Sequence, residues 1–396
     1  MTTTPSSSDP GSREQMGTLR RDVFTSSEDR ELIDDTAVIV CCGSGGVGKT
    51  TTAAVIGIEA ARRGRRAVVV TIDPARRLAD ALGLTGGLAA DPQRIELPSA
   101  SGELWAMMLD PAATYDGIVR REARDEAQVE RILANTFYRN IASALSGTQE
   151  YMAGEMLHAL HADERFDLVV VDTPPSRNAL DFVEAPGVLA RFLDHRVFRL
   201  LMLPTRGGLR VVGAATQPIV KAIGRVVGSD VLADSIEFFQ AFAGMEDGFR
   251  RRAREVSALI HAPETAFVVV ASPHVDTIDE AVWFARQLGE LGFGVQAAIV
   301  NRAHPIFGTG TASDARAAAD AATDPVLAAL WRNVHELRLL HEAEQVTIAP
   351  LVEAAHPAPV SVLPLLDNDV HDLVGLGEIA DHLVADDGTP PSTSTP

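Results

Sequence analysis

Residues 43–50 read GSGGVGKT and complete the pattern G-x-x-x-x-G-K-[ST], directly after the apolar, β-branched run AVIVCC at 37–42. A strand that ends in such a loop, with a helix-patterned stretch opening at 49, confines this part of the chain to a phosphate-binding strand–loop–helix unit. Its glycines let the backbone turn several N–H groups inward at phosphate oxygens, and the helix N-terminus adds partial positive charge. Lys49 is then expected to reach the β and γ phosphates of a nucleotide, and the Thr50 hydroxyl to ligate Mg2+. A glycine-rich turn that holds nothing would leave both the lysine and its placement unexplained.

Similar runs recur at 67–72 (AVVVTI), 166–172 (FDLVVVD), 266–272 (AFVVVAS), 295–301 (VQAAIVN) and 360–365 (VSVLPL), each followed by a turn and helical patterning. They read as buried parallel strands. Alternation with helices at 49–63, closed by Gly64, and at 276–290 implies right-handed crossovers. The expected fold is α/β, a doubly wound, mostly parallel sheet of P-loop NTPase type with ligands at the strand C-terminal ends. The intervals of about 111–162 and 178–262 carry helix-period apolar residues instead, and are expected to form a helical insert subdomain on one side of the sheet. One ATPase-type domain is expected over 35–383, between a largely disordered segment 1–34 and a disordered tail 384–396.

Two strand ends carry carboxylates. The run at 166–172 closes with Asp172, placed to hold the magnesium shell through water beside Thr50. TIDPARRLADALG at 71–83 puts Asp73 where a carboxylate could orient water toward a γ phosphate, although a strand-end Asp-Pro also serves simply as a turn. Together the three loops describe a nucleoside triphosphatase.

The formal net charge of −19, with scattered arginines, shows no footprint for a nucleic-acid backbone. The two cysteines, Cys41 and Cys42, are adjacent and poorly placed to bond to each other, which fits a reducing cytoplasm. MTTTPSSSDPGSREQMG at the start has no apolar signal core, and no uninterrupted apolar stretch approaches the roughly 20 residues of a membrane span. ADDGTPPSTSTP at the end is not a basic amphipathic helix. A cytoplasmic protein without a direct membrane anchor is the expectation.

The ordered set GSGGVGKTT, TIDPARRLADALG, LSGTQEYMAGE at 145–155, VVVDTPPSRNALDF at 169–182 and AAIVNR at 297–302 resembles the family of arsenite-efflux and tail-anchored-protein-targeting ATPases. GTQEYMA and DTPPSRNALDF look most like an actinobacterial branch of anion-transporting ATPases. The resemblance spans roughly residues 35–380. It implies a dimer with ATP at the subunit interface and helical subdomains that move with nucleotide state. It places phosphate binding along Gly43, Ser44, Gly45, Gly46, Val47, Gly48, Lys49, Thr50 and Thr51, Mg2+ at Thr50 and Asp172, and hydrolysis at Asp73 with Lys49. Asn301 matches the family's adenine-reading asparagine, whose amide both donates and accepts. PLLDNDVHDLVGL at 364–376 lies where the family has a second adenine-side loop.

Two departures matter. The family has a lysine at the position of Ser44 that reaches the partner subunit's phosphates, so that charge is missing here. Another cation substitutes (Arg177 or the Arg76–Arg77 pair are the candidates), a partner supplies one, or hydrolysis is slow. The paired cysteines also supply neither the C-x-x-C of zinc-holding members nor three thiolates for arsenite. His158 and His161 could face together at helical spacing, but read better as solvated residues.

The expected function is that of a cytoplasmic, dimeric, Mg2+-dependent ATPase whose nucleotide state switches a helical subdomain to bind and release a hydrophobic client or protein partner. The dimer would form with itself or with a paralogue. Phe198–Leu203, with Met202 and with Phe238, Phe239 and Phe242, could line a client groove or bury one another. The alternatives are the motor subunit of an anion efflux system, or a weakly hydrolysing subunit of a heterodimer.

Overall fold

The computed structural model of the chain describes residues 31–73, 77–98, 100–139, 148–194, 229–366 and 370–384. Eight strands form one sheet: β1 Val38–Gly43, β2 Arg66–Thr71, β3 Gln93–Ile95, β4 Glu103–Met108, β5 Leu168–Asp172, β6 Thr265–Ala271, β7 Ala297–Ala303 and β8 Val360–Pro364. Their order is β3-β4-β2-β5-β1-β6-β7-β8, parallel throughout except for the antiparallel edge pair β3–β4. β1 sits centrally, with β2 to β5 on one side and β6 to β8 on the other, so the winding reverses there. A crevice opens where the winding reverses, at the C-terminal end of β1.

β1, β5 and β6 are buried at every position, as strands covered on both faces must be. Alternate side chains enter different layers: Val38, Val40 and Cys42 pack with Phe182, Val256 and Leu351, whereas Ile39 and Cys41 pack with Val55, Leu78 and Leu376. The adjacent cysteines therefore face opposite sides of the sheet, and both are free thiols.

On the Ile39 face lie α1 Glu31–Asp34, α2 Lys49–Arg62, α3 Arg77–Ala81 and α13 Leu373–Val384. On the other face lie α6 Thr148–His161, α7 Ser176–Asp194, α9 Glu246–Ile260, α10 Val275–Glu290 and α12 Pro325–Ala355, the last paired with α11 Ala312–Ala321. The sequence reading passed over β3, β4 and the α11–α12 pair. In β4 the residues Leu104, Ala106 and Met107 are buried while Glu103, Trp105 and Met108 are half-buried, so ELWAMM lacks the uniformly buried apolar run of β1, β5 and β6.

The intervals expected to form a helical insert hold, besides α6, α7 and α9, the helices α4 Pro111–Glu122, α5 Glu126–Ala134 and α8 Ser229–Phe242. Asp110 and Asp125 cap α4 and α5 by accepting from Ala113 N at 2.9 Å and Gln128 N at 2.8 Å. These helices share a third core built on Val119, Ile132, Tyr138, Phe238, Phe242 and Phe249. α6, α7 and α9 belong to both cores: Tyr151, Ala185 and Ala253 face the insert, while Leu157, Phe182 and Val256 face the sheet. A buried ion pair at 2.5 Å, Arg252–Glu155, ties α9 to α6, and the Tyr151 hydroxyl donates to the same carboxylate.

That core decides part of the groove-or-core alternative. Phe238 and Phe242 are 5% and 4% exposed, with the Phe242 ring packed at a tilt against Phe238 and Phe249 at centroid separations of 5.7 and 4.8 Å. They bury one another. Phe198–Leu203 with Met202, the segment 218–227 and the terminal stretches 1–30 and 385–396 lie outside the described residues.

Candidate active site

The loop 43–48 turns between β1 and α2 in the crevice, and two of its glycines are required by close approach. A Cβ on Gly43 would lie 2.1 Å from the Val270 carbonyl oxygen of β6. Gly48, the α2 N-cap, is left-handed at φ 98°, and a Cβ there would meet Asn301 Nδ2 at 2.2 Å. Gly46, Gly48, Lys49, Thr50 and Thr51 line a cleft of about 330 Å3, together with Asp73, Arg77, Thr173 and Pro175. Gly43, Ser44 and Val47 are buried behind it, and Gly45 is exposed beside Pro175.

Lys49 is buried, and its Nζ donates to the Ser44 carbonyl at 2.7 Å. Burial pulls its pKa below the ordinary lysine value, against the attraction of Asp172. Asp172 closes β5 beside it at 1% exposure. Its Oδ2 accepts from Thr50 Oγ1 and from Thr71 Oγ1, both at 2.8 Å. Oδ1 is buried with no hydrogen-bond partner among the described residues. Burial raises the Asp172 pKa, opposed by the two threonine bonds and Lys49.

An unpartnered buried carboxylate oxygen next to a threonine hydroxyl is the donor set a hard divalent cation takes, so these residues fit Mg2+. Asp73 follows β2, with its backbone N–H donating to Thr71 Oγ1 at 3.3 Å and its carboxylate 3.5 Å from the Arg77 guanidinium. It is partly exposed to the cleft. Of the cations considered for the charge absent at Ser44, Arg77 lines the cleft, whereas Arg76 and the Arg177 side chain lie outside the described residues.

Asn301, near the end of β7, is buried and donates from Nδ2 to the Val47 carbonyl at 3.0 Å. It lines a second cavity of about 250 Å3, walled by Leu363 and Pro364 at the end of β8, by Leu365 and Leu366 beyond it, and by Val370, His371, Ile379 and His382. Thr51, Arg302, Val370 and His371 line both spaces, so the phosphate cleft and the side cavity adjoin. The segment 364–376 thus contributes walls to the second cavity, with 367–369 outside the described residues. Sequence reasoning had no role for Arg302, whose signal is a backbone angle, or for Gln149, which donates to the Ile72 carbonyl at 3.3 Å from inside a motif already noted.

The arrangement can hold phosphate groups at the N-terminus of α2, next to a second space bordered by Asn301. The family model described as anion-transporting ATPase matches residues 36–314. ATPase GET3 of Malassezia globosa is 26% identical over 266 residues, covering 67% of this chain and 72% of that protein. The get3 ATPase of Schizosaccharomyces japonicus is 26% identical over 274 residues, 68% of this chain and 76% of its own length. The arsenical pump-driving ATPase of Escherichia coli is 24% identical over 300 residues, 74% of this chain but 42% of that longer protein.

Proposed function

The chain belongs to the anion-transporting ATPase family and hydrolyses ATP, and from that premise we propose that its nucleotide state drives the helical insert to bind and release a hydrophobic client or protein partner. The protein would work in the cytoplasm as a dimer, with itself or with a paralogue. Among the described residues no helix is long and apolar enough to cross a membrane.

In the hydrolytic step water attacks the γ phosphorus, the bond to the β–γ bridging oxygen breaks, and ADP and inorganic phosphate leave. Backbone N–H groups of 45–50 and Lys49 would orient the triphosphate and stabilise charge on the leaving side, while Asp73 would hold the attacking water. Thr50 and Asp172 would hold Mg2+, which when bound neutralises charge on the β and γ oxygens.

The observation that carries coupling to the insert is the hydrogen bond from Gln149 of α6 to the Ile72 carbonyl, one residue before Asp73. A change at Asp73 on loss of the γ phosphate pulls directly on an insert helix. The loop after Asp172 offers a second route, since Thr173 and Pro175 line the cleft and α7 starts at Ser176. Hydrogen exchange of α6 and α7 in the ATP- and ADP-bound protein tests this. Protection that differs between the two nucleotides, and converges in Gln149→Ala, supports the coupling; identical protection in both states removes it.

A relative named for driving an arsenical pump favours a second reading, a motor subunit of an anion efflux system. The cysteine chemistry weighs against arsenite as its effector: burial pushes the Cys42 thiol up to about 12 and raises Cys41 as well, and no third cysteine exists. Arsenite-stimulated turnover would restore that reading. For a subunit with weak intrinsic hydrolysis the deciding measurement is turnover of the chain alone against turnover after mixing with a paralogue.

A further inference from the structure

Arg302 is the one non-glycine residue at positive φ among the described residues, at 64°. An L-residue in that region is strained where glycine would be relaxed, and such strain persists where the surroundings hold it and the side chain has work there. The surroundings do hold it. On its N-terminal side Asn301 is bonded to Val47. On its C-terminal side, Arg338 of α12 donates to the carbonyls of Phe307, Thr309 and Thr311 at 3.0, 2.6 and 3.0 Å, and Glu344 accepts from the His304 backbone at 2.8 Å. The strained turn thus aims one guanidinium at the phosphate loop, where it donates to the Gly46 carbonyl at 3.3 Å.

The place it is aimed at can be located. Lys49, Thr50 and Asp73 line only the phosphate cleft, Asn301 lines only the side cavity, and Arg302 lines both, together with Thr51, Val370 and His371. A nucleotide with its terminal phosphates at Lys49 and its base beside Asn301 must pass its ribose-proximal phosphate across this border. Arg302 is exposed, and a guanidinium has five donors, of which the bond to Gly46 uses one.

We propose that Arg302 is a nucleotide-contacting residue that binds the phosphate next to the ribose through a charge-assisted hydrogen bond. The proposal rests on the ATP-site reading above and adds a phosphate contact at the junction of the cleft and the side cavity. It gives the loop a cation from within the chain, at a different place from the intersubunit charge absent at Ser44.

The test compares ATP, ADP, AMP and adenosine binding to the full chain in Mg2+, by displacement of a fluorescent nucleotide, for wild type, Arg302→Asn and Arg302→Lys. Asparagine tolerates the left-handed backbone and removes the charge, so the turn is kept. A charge-assisted bond predicts that Arg302→Asn weakens ATP, ADP and AMP alike by roughly 10- to 150-fold and leaves adenosine within about twofold. Arg302→Lys should recover part of the loss. An equal loss for adenosine, a loss confined to ATP and ADP, or no loss at all overturns the proposal while wild-type ATP binding keeps the site reading intact. A wild-type chain that fails to bind ATP overturns the site reading, and this inference with it.

Discussion

The side-chain amide of Asn301 donates to the backbone carbonyl of Val47 at 3.0 Å, joining the end of β7 to a loop 254 positions earlier. The bond brings Asn301 so close to Gly48 that a methyl group there would lie 2.2 Å from its Nδ2. The phosphate loop and the wall of the side cavity are therefore one unit.

Gly48→Ala should disturb both halves of that unit. The left-handed backbone alone costs on the order of 1–2 kcal/mol for alanine, and Asn301 must also move. The expected result is a drop in ATP affinity of about tenfold or more, with adenosine weakened too because its wall shifts. Calorimetry with both ligands checks it, and unchanged adenosine binding would separate Asn301 from the base.

Asp73→Asn removes a carboxylate from the cleft while keeping its shape. If Asp73 positions the attacking water, turnover should fall by about 100-fold or more, in the range of general acid–base and positioning effects. ATP affinity should change little, since phosphate contacts come from Lys49 and the loop. Steady-state turnover and direct ATP binding on the same preparation check the split; a variant at wild-type turnover takes Asp73 out of the mechanism.

These residues differ in how far a sequence exposes them. The loop 43–50 was legible because its chemistry is contiguous, and Asp73 and Asp172 because strand ends can be read from apolar runs that stop at a carboxylate. Asn301 needed a family resemblance, since a strand-end amide has no distinctive pattern. Arg302 and Gln149 stayed hidden for a physical reason: one depends on a backbone angle of 64° and the other on a contact with Ile72, 77 positions away. β4 was hidden because Glu, Leu, Ala and Met favour helices, and pairing with β2 overrides that preference.

Asp172 predicts a pH dependence. Its pKa in the folded chain is raised by burial, so the folded state holds this proton more tightly than the unfolded chain does. Its contribution to stability is complete below the ordinary carboxylate range and is lost as pH rises through the folded value. Relative to Asp172→Asn, the ligand-free wild type should lose up to about 1.4 kcal/mol for each pH unit between the two values. Denaturant unfolding of both proteins across that window measures it, and parallel curves refute the assignment. Stabilisation by Mg2+ with ATP should be present in wild type and reduced in the variant.

The insert core makes a stability prediction. Phe242 is buried against Phe238 and Phe249, so Phe242→Ala should destabilise by about 3–5 kcal/mol. The unfolding step that carries the loss is expected to be that of the insert, with ATP affinity retained because Phe242 does not line the cleft. A variant as stable as wild type would mean that this face is open to a ligand rather than closed on itself.

Ser44 yields the opposite expectation. It is 4% exposed, its carbonyl accepts from Lys49, and its hydroxyl oxygen is buried without a hydrogen-bond partner among the described residues. A buried hydroxyl in that state costs roughly 1–3 kcal/mol relative to one that is bonded, and removing it leaves the carbonyl in place. Ser44→Ala should therefore match or exceed wild-type stability, by up to about 1 kcal/mol, and turn over ATP at the same rate. Thermal unfolding with steady-state kinetics checks both halves. A tenfold fall in turnover would show instead that the hydroxyl reaches the nucleotide, and that this loop uses the serine directly where the family has a lysine.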